Sequence, residues 1–401
     1  MQNSLDEYVP SIENNIYSSG KAIIVNSSIV ESITDSTEAE EEFSGSNEVQ
    51  LVDVQGRSII PGLIDTHTHL LWAGDRTQEI RYRLEGKTYA EIEQMGGGIT
   101  LTTSLTRSAT REELIEAGYV RLRTALSHGT THIEAKSGYG LNAETELKIL
   151  ECGNILSNLN QLPSIEQTWL GAHSFPKECT KEEYMDDLLS NQLPKIVDQG
   201  FAQSADVFCE PGWFSVEQSE DILRQSRKLG LDLRMHIDEF EDSGGADLAA
   251  ELHVNTADHA YFTPDDLRLR MKESGVNTGC LPGAPFVLGQ QMHDYSRLIK
   301  EEIPFTLATD FNPNCQFLSL PLIGAFAVQR SGLHPLMALK CMTTQAAQIS
   351  NLDSQHSQGT IQEGRSATFN ILNSPHWESW CQTPGHSPIH STQLEGKYIV
   401  H

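Results

Sequence analysis

Two histidines one residue apart, His67 and His69, close the run IIPGLIDTHTH. Strand side chains alternate with period two, so at a strand end both imidazoles point to one side and can chelate a single ion. An isolated H-x-H is also compatible with a solvated strand end, but this pair follows an apolar run directly. Other short apolar runs end in ionisable residues too: Lys136 in THIEAK, His173 in TWLGAH, Glu210 in DVFCE, His236 with Glu239 in LDLRMHIDE, His259 in TADHA and Asp310 in PFTLATD. Glu239 lies three residues after His236, so on a regular strand it cannot share that side and belongs to the turn beyond. From there it could exchange a proton with a water at the site. His259 could donate to a carbonyl under attack, the other account being a satisfied core histidine. Lys136 is open between structural ion pairing and a polar role in the pocket.

These residues need a scaffold that gathers strand ends. With VNTGCL the runs number eight, spread over Ile59 to Asp310, interleaved with helical periodicity such as Arg111 to His128 and Val216 to Leu229. That alternation predicts a parallel sheet with crossover helices, and eight strands close a (β/α)8 barrel, whose active site forms at the carboxyl ends of the strands. Long insertions are expected after the first strand and after TWLGAH, with a last helix near Leu336 to Ile349. Before the barrel, KAIIV, SIVESI and VQLVDV read as β runs around a solvated acidic loop, STEAEEEFSGSNE. After it, GTIQEGRSATFNIL and LEGKYIV return to β character. The fold class is therefore α/β: a TIM-like barrel over residues 59–350, with a small β-sandwich domain built from residues 1–58 and 351–401. Gly96 to Gly98 lacks the lysine and spacing of a phosphate cradle and is expected to form a mobile loop over the barrel mouth.

The His67-x-His69 pair, the fifth-strand and sixth-strand histidines and the eighth-strand aspartate resemble the ligand pattern of the amidohydrolase superfamily. Within it the chain resembles the imidazolonepropionase family through GLIDTHTHLLWAGDR, YAEIEQMGGGI, EAKSGYGL, GAHSFP, DVFCEPGWFSVEQS, HIDE, ADHA, LPGAPF, LATDFNP and GTIQEGRSA. The resemblance implies one divalent metal ion, zinc or iron, held by His67, His69, His236 and Asp310, a donor set suited to a borderline ion. Such an ion lowers the pKa of its water toward ~7. DVFCE offers Glu210 where many superfamily members carry a bridging lysine, which favours one ion over two. The implied catalytic residues are Glu239 as proton shuttle, His259 and Asp310; the implied substrate contacts are Arg76, Tyr139, His173, Glu239 and Asn312. Asn314 and Cys315 occupy two further contact positions where the family usually has Gly and Ser or Thr, and the tail from Pro375 to Ser391 departs from the family's closing strands. The implied reaction is hydrolysis of the cyclic amide of 4-imidazolone-5-propanoate to N-formimidoyl-L-glutamate. The alternative is deamination of a nucleobase-like heterocycle, in which Arg76 has no obvious partner.

Composition narrows the partners. With 28 basic against 55 acidic residues the net charge is -27, which repels nucleic acid and anionic lipid alike. An anionic small substrate then needs a local guanidinium, and Arg76 beside the histidine pair is the candidate. No apolar run approaches the ~18 residues of a membrane span, and MQNSLDEYVP does not read as a signal peptide. Seven scattered cysteines without a C-x-x-C pair suit a reducing cytoplasm, and a homodimer is the default assembly.

Overall fold

A computed structural model describes residues 16–352 and 358–401; the leader reading on residues 1–10 lies outside them. Strands β1 (Lys21–Asn26) and β2 (Ile29–Asp35) pair antiparallel. After β3 (Ile59–Pro61) come eight parallel strands paired in chain order: β4 (Leu63–Thr68), β5 (Thr130–Lys136), β6 (Ser164–Ala172), β7 (Ser204–Cys209), β8 (Asp232–Ile237), β9 (Thr256–His259), β10 (Asn277–Cys280) and β11 (Phe305–Leu307). Each contains residues of one of the eight apolar runs. The ring closes beyond the end of β11, where Thr68 bridges Phe311, the Asp310 N–H donates to the His67 carbonyl (3.1 Å) and the His69 N–H to the Phe311 carbonyl (2.7 Å). Closure therefore runs through the backbone of three of the predicted site residues.

Crossover helices such as Arg111–Ser127 and Val216–Lys228 start at capping boxes, Thr110 with Glu113 and Ser215 with Gln218. Each cap is worth about 1 kcal/mol. Their apolar stripes, including Leu114, Leu122, Ile222 and Leu223, are buried against the outside of the barrel. The insertion after β4 holds the helices Glu79–Leu84, Tyr89–Gln94 and Gly98–Ser108.

A four-stranded antiparallel sheet joins β3 to β12 (Phe369–Leu372), β13 (Ile389–Leu394) and β14 (Lys397–Val400). Val30 of β2 packs with Phe369 of β12 and with Ile59, which makes the small sandwich of the two chain ends. The first apolar run is thus shared, with Ile59–Pro61 pairing in this sheet and Leu63 onward in the barrel.

Three local expectations are corrected. Ser36–Phe43, expected as a solvated loop, is a helix: Ala39 is buried, and Glu38, in the first turn where a negative charge is favoured, accepts from the Thr34 hydroxyl (2.8 Å). VQLVDV forms no strand, because it meets no sheet edge and Leu51 stays 63% exposed. Gly98 is not in a loop but opens the helix to Ser108, its N–H donating to Glu79 (2.8 Å). In the divergent tail, Trp377–Cys381 makes a 3-10 turn that buries Trp380 against Gly324, where a Cβ would stand 2.3 Å from the indole. No helix among the described residues is long and apolar enough to cross a membrane.

Candidate active site

The barrel interior is polar. Lys136 on β5 meets Asp206 on β7, and Arg234 on β8 meets Glu166 on β6, contacts between non-adjacent strands that only cross the lumen. Where such barrels are usually filled with branched apolar side chains, this one buries His132, Glu134, Lys136, Asp206, Arg234 and Asp258. Charges this deep persist only when paired.

Above that layer, at the carboxyl ends of the strands, His67, His69, His236, His259 and Asp310 are all buried. Ring centroids lie 4.5 Å apart for His67 and His236, and 5.5 Å for His67 and His69. Asp310 Oδ1 is 3.6 Å from His67 Nε2 and 3.8 Å from His69 Nε2. Two sets of donor atoms converge within 4.8 Å, one from His67, His69 and Asp310, the other from His67, His236 and His259. His67 therefore links all the residues expected as ligands, and His259 joins them closely. Buried Nε2 atoms of His67 and His236 have no hydrogen-bond partner among the described residues, an arrangement that costs free energy unless a ligand completes it. A divalent ion bound by neutral imidazoles and a carboxylate fits this set.

Electrostatics agree. Burial, with Lys136 and the other imidazoles adding to it, holds His67 well below its ordinary value, and burial with His173 and His236 does the same for His69. Both are neutral, as ligands must be. Burial pushes Asp310 up to about 7, against the hydrogen bond from Asn312.

The opposite imidazole nitrogens are fixed from below. His67 Nδ1 lies 2.6 Å from Asp258 Oδ2 and His236 Nδ1 lies 3.1 Å from Asp206 Oδ1. Carboxylate partners of this kind set the tautomer and aim the other nitrogen at the ion. Asp206 and Asp258 were not singled out by sequence reasoning. The available signal was period two: Asp206 alternates with Phe208 and Glu210, and Asp258 with Thr256. Lys136 is completely buried between Glu134 (2.9 Å) and Asp206 (2.7 Å), which decides its open reading for ion pairing. Burial alone would lower its ammonium, but Asp206, Glu134 and Asp258 outweigh that and hold it above its ordinary value.

Glu239 lies beyond the end of β8, on the expected turn, with Oε2 3.8 Å from His259 Nε2. Burial first, then Asp310 and Glu210, hold its carboxyl well above the usual range. Glu210 accepts the backbone N–H groups of Glu239, Phe240 and Glu241 (2.9 to 3.1 Å), so it shapes that turn. Asp238, His259, Ala260 and Asp310 all have φ between 50° and 67°, strain of ~1–3 kcal/mol each concentrated at the strand ends.

Among the expected substrate contacts, His173 stacks on His69 at 4.9 Å and Tyr139 lies 5.1 Å from His173. Burial, with His236 next and Arg76 a smaller contribution, takes His173 down to about 3, so it too is neutral. Arg76 makes a two-pronged pair with Glu79 through Nε (2.9 Å) and Nη2 (2.8 Å). Asn312 spends its amide within the site, donating to Asp310 Oδ1 (3.0 Å) and accepting from the N–H groups of Asn314 (2.8 Å) and Cys315 (3.0 Å). The Asn314 side chain turns to Arg83, and the buried Cys315 thiol donates to the Thr309 carbonyl (3.8 Å).

Residues 215–393 match the amidohydrolase family. The imidazolonepropionase of Geobacillus kaustophilus (strain HTA426) is 38% identical over 356 residues, which are 88% of this chain and 83% of that protein. The chain belongs to the imidazolonepropionase family. Imidazolonepropionase sequences as distant as the probable imidazolonepropionase of Homo sapiens remain 35% identical over 366 residues, 89% of this chain and 85% of that one. Among solved structures, 5-methylcytosine deaminase from Klebsiella pneumoniae liganded with 5-fluorocytosine is similar with a TM-score of 0.71 over 96% of this chain and 95% of that one, at 15% identity, a likeness of fold alone.

Proposed function

We propose that the chain hydrolyses the cyclic amide C–N bond of 4-imidazolone-5-propanoate, giving N-formimidoyl-L-glutamate in histidine degradation. The observation that carries this is the convergence of His67, His69, His236 and Asp310 beside Glu239, in a chain with imidazolonepropionase relatives over most of its length. Those four residues would hold one ion, zinc or iron. Bound there, such an ion would supply water activation and Lewis acidity.

The chain's own residues do the rest. Glu239 takes the proton from the attacking water and returns it to the departing ring nitrogen. His259, kept neutral by burial, donates to the carbonyl oxygen as charge develops on it. Arg76 receives the propionate carboxylate, while Tyr139 and His173 wall the ring. Asn314 and Cys315 shape the loop beyond Asp310 from outside the reacting atoms. Asn312 serves that loop by orienting Asp310.

Metal analysis of the purified chain, joined to a product assay with imidazolone propionate, tests the reading. Ring opening at about one ion per chain supports it; ammonia release from a nucleobase without ring opening would replace it with the aminohydrolase alternative. We further propose a barrel over 59–350 with its ends in one β domain, a homodimer, and a cytoplasmic setting without nucleic acid partners, consistent with seven free cysteines and the charge of -27.

A further inference from the structure

One ammonium sits among three carboxylates that steady the histidine ligands. Lys136 Nζ lies 2.7 Å from Asp206 Oδ2, and the other oxygen of that carboxylate takes His236 Nδ1 at 3.1 Å. It lies 4.0 Å from Asp258 Oδ2, the same oxygen that takes His67 Nδ1 at 2.6 Å. It bonds Glu134 Oε1 at 2.9 Å, and Glu134 Oε2 accepts from the backbone N–H of Thr68, between His67 and His69, at 3.3 Å. At 2.7 Å the contact with Asp206 is a close, fully buried ion pair.

We propose that Lys136 is the positioning residue of the metal centre, clamping Asp206, Asp258 and Glu134 so that His67 and His236 present their Nε2 atoms together to one ion. The clamp rests on the metal reading above and deepens it. Three acidic groups in one lumen would repel one another and compete for the ion; a fixed cation in their midst keeps them turned to the imidazoles instead. The packing leaves no slack. A Cβ on Gly279 would stand 1.9 Å from Asp258 Oδ1, so that side chain keeps its place only beside a glycine.

Lys136→Met alone leaves an unbalanced acidic cluster and endangers folding. Lys136→Met with Glu134→Gln restores the charge count and keeps an acceptor for the Thr68 N–H. In that double variant thermal stability of the metal-free chain returns toward the parent's. Affinity for zinc, read by chelator competition, falls about 10- to 100-fold. The visible absorption of the cobalt-loaded form shifts as the coordination geometry loosens. A folded double variant with the parent's zinc affinity and cobalt spectrum would overturn the proposal, leaving Lys136 a structural charge. Nitrogen NMR of the metal-free parent tests it without any variant: His67 and His236 carry their protons on Nδ1, and protons on Nε2 would equally overturn it. A parent that binds no divalent ion would defeat the metal reading itself, a different outcome from a parent and variant that bind alike.

Discussion

Glu239 and Asn312 make separable claims at the scale of single residues. Glu239→Gln keeps size and burial but cannot carry a proton, so kcat is expected to fall ~10²–10⁴-fold with metal content unchanged, as metal analysis beside steady-state kinetics will read. Asn312 holds Asp310 Oδ1 and two backbone N–H groups of its own loop. Asn312→Ala is therefore expected to weaken zinc binding about tenfold. A role confined to holding product would instead raise KM and leave the chelator titration unmoved. The His67-x-His69 pair was legible because period two is a local rule, and Glu239 because three residues from His236 breaks that rule. Asp258 and Asp206 were not legible as partners. Their imidazoles lie 191 and 30 residues away in the chain; pairing of β7 with β8 brings Asp206 to His236, and closure of the barrel brings Asp258 to His67.

Turns and strands carry the next claim. Glu210 takes three consecutive N–H groups of the turn that presents Glu239. Glu210→Ala releases those donors, and since a misplacement of about 1 Å can cost ~10²-fold, kcat is expected to fall at least tenfold while zinc affinity holds. Amide hydrogen exchange at Phe240 and Glu241 should rise in the same variant; unchanged exchange would show the turn to be held by other contacts. The eight barrel strands were legible because each is an apolar run between helical stretches. The misreadings share a physical cause: VQLVDV has strand character but no edge to pair with, and STEAEEEF is polar yet winds, with Ala39 buried and Glu38 accepting from the Thr34 hydroxyl. Composition reports the tendency of a segment and not the neighbour it will meet.

Across the whole molecule, the buried charges of the lumen tie stability to pH. Arg234 is fully buried and lies 2.7 Å from Glu166 Oε1, which the Asn351 N–H also reaches at the other oxygen (2.9 Å). Burial would raise Glu166, but Arg234, His132 and the Asn351 N–H together outweigh it and hold the carboxyl well below the usual range. A carboxyl depressed in the folded state contributes stability that is complete above its unfolded value near 4.5 and is lost as pH falls toward the folded one. The urea midpoint is thus expected to be insensitive to this pair from pH 7 to 5 and to drop below about pH 4.5. Glu166→Gln leaves Arg234 buried without its counter-charge, so it should cost about 3–5 kcal/mol at pH 7 and flatten the acid limb. Adding Arg234→Met removes the stranded cation, and most of the lost stability should return. If Glu166→Gln unfolds at the parent's midpoint at pH 7, the lumen pair contributes nothing to holding the barrel together, and its burial has to be explained by the site above it.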